Sequence, residues 1–322
     1  MHIYYLLTLL ICTMATTNKY SNTINSRLKV RVGPSGLHFF NRSTGINILV
    51  DEIAFPTNTW SASPRHVSIA LTNDCDLTCL HCYAPKKPAI LAFDRLANWL
   101  ADLDANGCIG VGFGGGEPTL YPRLTELCSY AARKTNLAVT MTTHAHRLSN
   151  QLLNELAANL HFVRVSMDGV GPTYESIRGR PFDALLDRIT ELARVARFGI
   201  NFVVNSKTIG DLDAAVELAT DFGASEFLLL PEEPVGRGSG IDIETTITMR
   251  KWITGYRGSV PLTVSEGGAE GLLTCDPLKA EMGLAAFAHI DASGVLKRTS
   301  YDKSGVLIGK NGVMAALDRL KT

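Results

Sequence analysis

Charge is scarce and evenly split in this sequence. Only 19 % of its 322 residues are Asp, Glu, Lys or Arg, and 31 basic side chains balance 31 acidic ones. A protein that grips nucleic acid by neutralising phosphates needs a basic face, so tRNA and rRNA are disfavoured as substrates. A membrane span is missing as well. The apolar run at the start, residues 3–12 (IYYLLTLLIC), has ten residues, where a spanning helix needs about 20. Tandem repeats beyond a strand–helix unit and low-complexity segments are absent. An even cysteine count is lacking too: seven cysteines exclude a fully paired disulfide scaffold. Apolar residues, in contrast, make up 46 % of the chain. That excludes disorder over most of it, and the length allows a sizeable core in one large domain or two smaller ones.

The initial run has the length of a signal-peptide core, with small residues at Ala15 and Thr16, but no Lys or Arg precedes it. Ile11 before Cys12 matches a lipoprotein cleavage box poorly. Residues 1–26 are read as an apolar segment that is either an over-long start outside the fold or a piece that packs against its body. Residues 27–63 alternate apolar and polar positions around Gly-containing turns and then run into a Pro- and Ser-containing linker. They are read as a small antiparallel unit.

From His66 the rhythm becomes strand, loop, helix. Strands are expected at 67–71, 109–113, 139–143, 162–166, 200–205 and 226–230. Helices are expected at 91–106, 120–135, 150–156, 182–198 and 212–222. Strands alternating with helices predict an α/β fold with a parallel sheet, here a partial six-stranded TIM-like barrel over residues 64–234. Its ligand site belongs at the carboxyl ends of the strands. Residues 235–322 are read as an α+β extension: a helix at 247–256, a strand at 262–265, a hairpin at 287–290 and 295–298, and a closing helix at 313–320.

Directly after the first barrel strand the chain reads CDLTCLHC, placing Cys75, Cys79 and Cys82 in C-x3-C-x2-C spacing. Clustered thiolates bind zinc or an iron–sulfur cluster. A closed site wants four ligands, so three local thiols leave one iron of a [4Fe–4S] cluster open. Zinc remains a competitor on spacing alone, and with it a structural or adaptor role. Gly114-Gly115-Gly116-Glu117-Pro118 closes the second strand. Glycines there allow close backbone approach, and Glu117 offers an anion for an ammonium group. The motif lacks the lysine of a phosphate-binding loop.

Residues 64–234 resemble the radical S-adenosylmethionine (SAM) superfamily. The cysteine triad followed by Tyr83 carries the resemblance, although His81 stands where that family usually has an aromatic residue. The resemblance implies that Cys75, Cys79 and Cys82 ligate a [4Fe–4S] cluster whose open iron is chelated by SAM. It implies further that Tyr83, Gly115, Gly116 and Glu117 contact SAM, with Glu117 at its amino group. Ser166 and Asp168, ending the fourth strand in RVSMDG, would approach the ribose. Arg178 would hold the carboxylate, a role that suits a guanidinium fork. Asn205, closing the fifth strand, is a further SAM candidate. After the third strand this chain has Thr143-His144-Ala145 where the family often has Thr-Asn-Gly. His144 is therefore a candidate substrate contact.

Past the barrel the resemblance extends to a SPASM or shortened "twitch" region. Cys275 is followed by Gly294, but Thr299 stands where the second cysteine is expected, and no cysteine follows Cys275. The region is thus read as keeping the scaffold without auxiliary clusters. Cys108 and Cys128 lie in strand and helix patterns and read as core thiols. Cys275 reads as a packed thiol or as a hydrogen-atom donor to a substrate radical.

The resemblance implies an enzyme that takes one electron from a flavodoxin- or ferredoxin-like donor, cleaves SAM and abstracts hydrogen from a substrate C–H bond. Glu232 and Glu266 join His144 as candidates for shaping the substrate pocket. Modification of a ribosomally made peptide is the leading expectation, with a small-metabolite or cofactor-pathway enzyme as the alternative. Such a cluster implies a reducing, cytoplasmic setting, away from membranes.

Overall fold

The alternation at the start of the chain becomes three antiparallel strands: β1 (Leu28–Gly33), β2 (Gly36–Asn41) and β3 (Asn47–Val50). The structure is a computed structural model that describes residues 28–273, 275 and 277–322. The apolar segment 1–26 lies outside the described residues. Which face of this small sheet is buried runs against simple expectation. Lys29 and Arg31 are buried, while Leu28 and Val30 are 46 % and 40 % exposed. The basic side chains point inward because they are the fasteners. The Arg31 Nη1 donates to the carbonyls of Ser63 and Gly107, and Nη2 donates to that of Ala285. Arg42 caps the carbonyls of Ala132, Thr135 and Leu137 in the same way. All of these carbonyls precede barrel strands. The small sheet therefore docks on the amino-terminal end of the barrel.

The second sheet has ten strands in the order β10-β9-β8-β7-β6-β5-β4-β11-β12-β13. Its central six are the expected ones: β4 (His66–Thr72), β5 (Gly110–Gly115), β6 (Ala138–Thr143), β7 (Phe162–Ser166), β8 (Phe198–Val204) and β9 (Phe227–Pro231). All five pairings among them are parallel. Between them run α1 (Phe93–Ala105), α2 (Leu124–Lys134), α3 (Asn150–Ala157), α4 (Pro172–Arg178), α5 (Phe182–Ala193) and α6 (Leu212–Asp221). Strand alternation sorts the two faces. Val67, Ile69 and Leu71 of β4 are fully buried in the core with Leu96 and Leu100 of α1. Their neighbours His66 and Ser68 face the barrel lumen.

Three departures from expectation have local causes. The second helix starts at Leu124, because Pro118–Leu120 form a 3-10 turn first. The helix expected over 182–198 ends at Ala193, which frees Phe198 to open β8. The short α4 escaped the pattern. Its markers are Pro172 in the first turn and Gly179, at φ 65°, as the C-cap.

The carboxy-terminal region continues the same sheet. After α7 (Ile243–Gly255), β10 (Leu262–Val264) extends one edge parallel to β9. At the other edge β11 (Phe287–Ile290) pairs parallel with β4, and β12 (Val295–Lys297) and β13 (Val306–Leu307) follow antiparallel. The helix α8 (Gly312–Lys321) closes the chain. Thus eight parallel strands run from β10 to β11, and the hairpin begins on a strand bonded to the barrel. Among the described residues no helix is long and apolar enough to cross a membrane.

Candidate active site

The loop after β4 carries the three cysteines, and its ends are held together. Leu91 N–H donates to the Leu71 carbonyl and Asn73 N–H to that of Ala89. The Asn73 side-chain amide donates to the Lys87 carbonyl at 2.9 Å. A second segment braces the loop from outside: Arg237 N–H donates to the Cys82 carbonyl at 3.0 Å, and Arg237 Nη1 to that of Thr78 at 2.8 Å. Gly236 makes this approach possible. It has φ 66°, and a Cβ there would lie 2.5 Å from the Cys82 oxygen.

Cys75, Cys79 and Cys82 all line a cavity of about 330 Å³ at the carboxyl ends of the strands, continuing into the barrel lumen. Burial pushes the Cys75 and Cys79 thiols above their ordinary range. Tyr83, Gly115, Gly116, Glu117, Ser166, Asp168, Arg178 and His144 line the same cavity. The close approach that the glycines permit is to the protein itself. A Cβ on Gly116 would sit 2.2 Å from the Asp74 carbonyl oxygen, so the second strand end packs directly on the cysteine loop.

Glu117 is 1 % exposed and firmly oriented. Its Oε1 accepts from Thr119 N–H at 3.1 Å and from the hydroxyls of Thr119 and Thr143, both at 2.7 Å. Its Oε2 accepts from His144 N–H at 3.0 Å. His144 Nε2 lies 2.9 Å from Asp76 Oδ1 and 3.3 Å from Glu117 Oε2. His144 is thus a buried member of the Glu117 scaffold as well as part of the cavity wall.

Asp168 is completely buried and its carboxylate is spent on protein partners. Oδ1 accepts from Val203 N–H at 2.8 Å, while Oδ2 meets Arg178 Nη2 and His81 Nε2. Burial alone would raise its pKa; Arg178 and then His81 outweigh that and hold it below the usual carboxylate range. The ribose contact implied by the resemblance would have to share this carboxylate with two donors. Asn205 departs further. It is not among the cavity-lining residues. Its Nδ2 donates to Glu232 Oε2 at 2.7 Å, and its Oδ1 accepts from the N–H groups of Lys207 and Thr208. It positions Glu232, which does line the cavity.

Cys275 is exposed and lies outside the cavity lining, so neither a packed thiol nor a group facing the reacting centre is seen. Cys108 and Cys128 are fully buried. The side chain of Glu266 lies outside the described residues. Thr299, at the position of the missing second cysteine, accepts from Tyr301 N–H and donates to Asp302 Oδ1.

Two buried polar atoms on the wall have no partner among the described residues: His81 Nδ1 and Arg178 Nε. Unpartnered buried polar atoms are costly unless a ligand meets them. Three thiols, a fixed carboxylate and a guanidinium with a spare N–H form a donor set that suits an iron–sulfur cluster together with an amino-acid-bearing ligand. Sequence reasoning missed His81 as a partner of Asp168, and Thr143 as a support of Glu117. The only hint was that each sits beside a motif residue.

A thiol triad on the first strand loop of a parallel partial barrel, with a Gly-Gly-Glu turn facing it, is the arrangement that the resemblance to the radical SAM superfamily implies. Residues 69–219 match the Radical SAM superfamily. That family uses a [4Fe–4S] cluster and SAM. The chain is 29 % identical over 187 residues to the mycofactocin maturase MftC of Mycobacterium tuberculosis, covering 56 % of this chain and 47 % of that protein. It is 29 % identical over 177 residues to the Fe-coproporphyrin III synthase of Methanosarcina barkeri, covering 52 % and 44 %. The chain thus matches about half the length of these relatives. Streptococcus suis SuiB bound to S-adenosylmethionine shares the fold with a TM-score of 0.69 at 15 % identity, over 87 % of this chain and 83 % of that one. SuiB bound to its precursor peptide SuiA gives 0.67 at 14 % identity, over 88 % and 85 %.

Proposed function

We propose that this protein is a radical SAM enzyme that modifies a ribosomally made peptide. The observation that carries the chemistry is the convergence of Cys75, Cys79, Cys82, Glu117 and Arg178 on one cavity. Cys75, Cys79 and Cys82 would hold the cluster, which together with SAM would supply one-electron radical chemistry for removing a hydrogen atom from a substrate C–H bond. The chain's own residues bind and orient. Glu117, fixed by Thr143 and by the His144 backbone, presents an anion that suits an ammonium group. Arg178 keeps Nε free for a carboxylate while Asp168 holds its far end. Leu77, Ala84 and Phe113 narrow the cavity with apolar surface and limit water at the reacting centre.

Peptide modification is supported by the likeness to a mycofactocin maturase and by the fold shared with a protein solved with its precursor peptide. The Fe-coproporphyrin III synthase relative favours a second reading, a cofactor-pathway enzyme. The cluster-free SPASM-like reading of residues 235–322, an external flavodoxin- or ferredoxin-like reductant and a reducing cytoplasmic setting belong to this proposal.

Anaerobic reconstitution tests the chemistry. A brown protein forming 5′-deoxyadenosine from SAM and a one-electron reductant supports it, while a colourless zinc protein does not. Co-expression with a short precursor peptide encoded beside this gene tests the substrate. A mass change in that peptide supports peptide modification; an unchanged peptide together with a changed porphyrin supports the second reading.

A further inference from the structure

Each of the three cysteine sulfurs receives one N–H donor, and the donors differ in kind. Leu77 backbone N–H points at Cys75 Sγ at 3.4 Å. Arg178 Nη1 lies 3.5 Å from Cys79 Sγ. Lys86 Nζ lies 3.0 Å from Cys82 Sγ. The first donor is neutral. The second is cationic, but Asp168 pairs with the same guanidinium and compensates its charge. The third is different, because among the described residues Lys86 forms no salt bridge with any carboxylate. Its one polar contact is the sulfur, four residues back in the loop. A flexible, strongly hydrated ammonium would otherwise stay in solvent.

We propose that Lys86 sets the reduction potential of the cluster held by Cys75, Cys79 and Cys82, acting through Cys82 as a positioning residue. This rests on the cluster-binding reading above. Reduction by one electron, from a low-potential protein donor or from titanium(III) citrate, adds one negative charge to the cluster and its thiolates. An uncompensated cation donating to a ligand sulfur stabilises that more negative state, so the potential rises. A neutral donor at Cys75 and a compensated pair at Cys79 do this less. Lys86 is also exposed. Its contribution is therefore screened by salt, unlike that of the buried Arg178–Asp168 pair.

The test is a redox titration of the anaerobically reconstituted holoprotein, followed by electron paramagnetic resonance. Lys86→Met should move the midpoint to a more negative potential. The expected size is about a tenfold rise in the oxidised-to-reduced ratio at fixed ambient potential, which is about 59 mV for one electron. Lys86→Arg should restore most of the wild-type midpoint. Lys87→Met removes a neighbouring exposed charge with no sulfur contact and should leave the midpoint in place. Raising the salt should lower the wild-type midpoint and leave Lys86→Met nearly unmoved. An unchanged midpoint in Lys86→Met overturns the proposal, as does an equal shift in Lys87→Met. Loss of bound iron in Lys86→Met, with iron retained in the wild type, overturns it too, by making Lys86 an assembly residue. A wild-type protein that takes up no iron would instead sink the cluster reading itself.

Discussion

The Thr143 hydroxyl donates to Glu117 Oε1 across 2.7 Å, tying the turn after β5 to the end of β6. A buried carboxylate held by this hydroxyl, by Thr119 and by the His144 N–H has one orientation in which to meet a ligand. Glu117→Gln swaps an acceptor for an NH2 group that faces donors and removes the charge. A hydrogen bond to a charged group is worth about 1.5–3 kcal/mol, so SAM affinity should fall about tenfold to a hundredfold. Equilibrium binding of SAM to the reconstituted protein measures this, with circular dichroism confirming the fold. Thr143→Val should weaken binding less, because Glu117 keeps its other donors.

Five of the cysteines should separate cleanly by substitution. Cys75→Ser, Cys79→Ser or Cys82→Ser should each remove most of the bound iron and the brown colour, because three local thiolates leave no spare ligand. Cys275→Ala should keep both, since that thiol is exposed and away from the cavity. Cys128→Ala should keep the iron but lower stability, because a fully buried side chain is truncated. Iron assay and urea unfolding read the two effects separately. Iron retained in Cys79→Ser would contradict the assignment of the triad.

Periodicity and spacing made much of this legible. Six strands, five helices and the Cys75–Cys79–Cys82 loop follow from local pattern. The resemblance to the radical SAM superfamily pointed to Glu117, Ser166, Asp168 and Arg178, and all four line one cavity. The missing parts depend on tertiary contact. Nothing local announces that Asp168 is consumed by Arg178 and His81, or that Asn205 serves Glu232 across 27 residues. The parallel pairing of β11 with β4 joins residues about 220 apart. A hairpin pattern cannot reveal which older strand it extends. The inward-facing Arg31 is the sharpest case, because an alternating strand normally buries its apolar side. Its reason is a carboxylate 250 residues away.

That pair gives a stability prediction. Arg31 and Glu281 side chains are each 2 % exposed, with Nε 3.1 Å from Oε1. Burial lowers the Arg31 pKa, and Glu281 works against that. Arg31→Met leaves Arg65, at 3.3 Å, as the remaining ion-pair partner of Glu281 among the described residues, and strips donors from the Ser63, Gly107 and Ala285 carbonyls. Removing one partner of a buried pair costs about 3–5 kcal/mol, whereas replacing both with apolar residues is often close to neutral. Arg31→Met should therefore shift urea unfolding strongly. The double change Arg31→Met with Glu281→Leu should recover part of the loss. Equal unfolding curves for wild type and Arg31→Met would show that the small sheet is not fastened here.

His289 carries the pH dependence that can be read most directly. Its side chain is 5 % exposed in the barrel lumen, with Nδ1 3.2 Å from Ser68 Oγ. Burial lowers its pKa from 6.5 to about 4; the nearby charges of Asp291, Lys297 and Asp302 are smaller influences. The imidazole is thus neutral in the folded protein over a range in which the unfolded chain binds a proton. Stability contributed by the neutral form is complete above about pH 6.5, falls as the pH drops towards about 4, and levels off below that. A depression of this size corresponds to about 3 kcal/mol at full effect. His289→Gln keeps a polar group beside Ser68 and cannot titrate. Urea unfolding at a series of pH values should show the wild type losing stability relative to His289→Gln between pH 6.5 and 4, with a constant difference above pH 7. Parallel curves across the whole series would mean that His289 does not hold its proton off in the folded state.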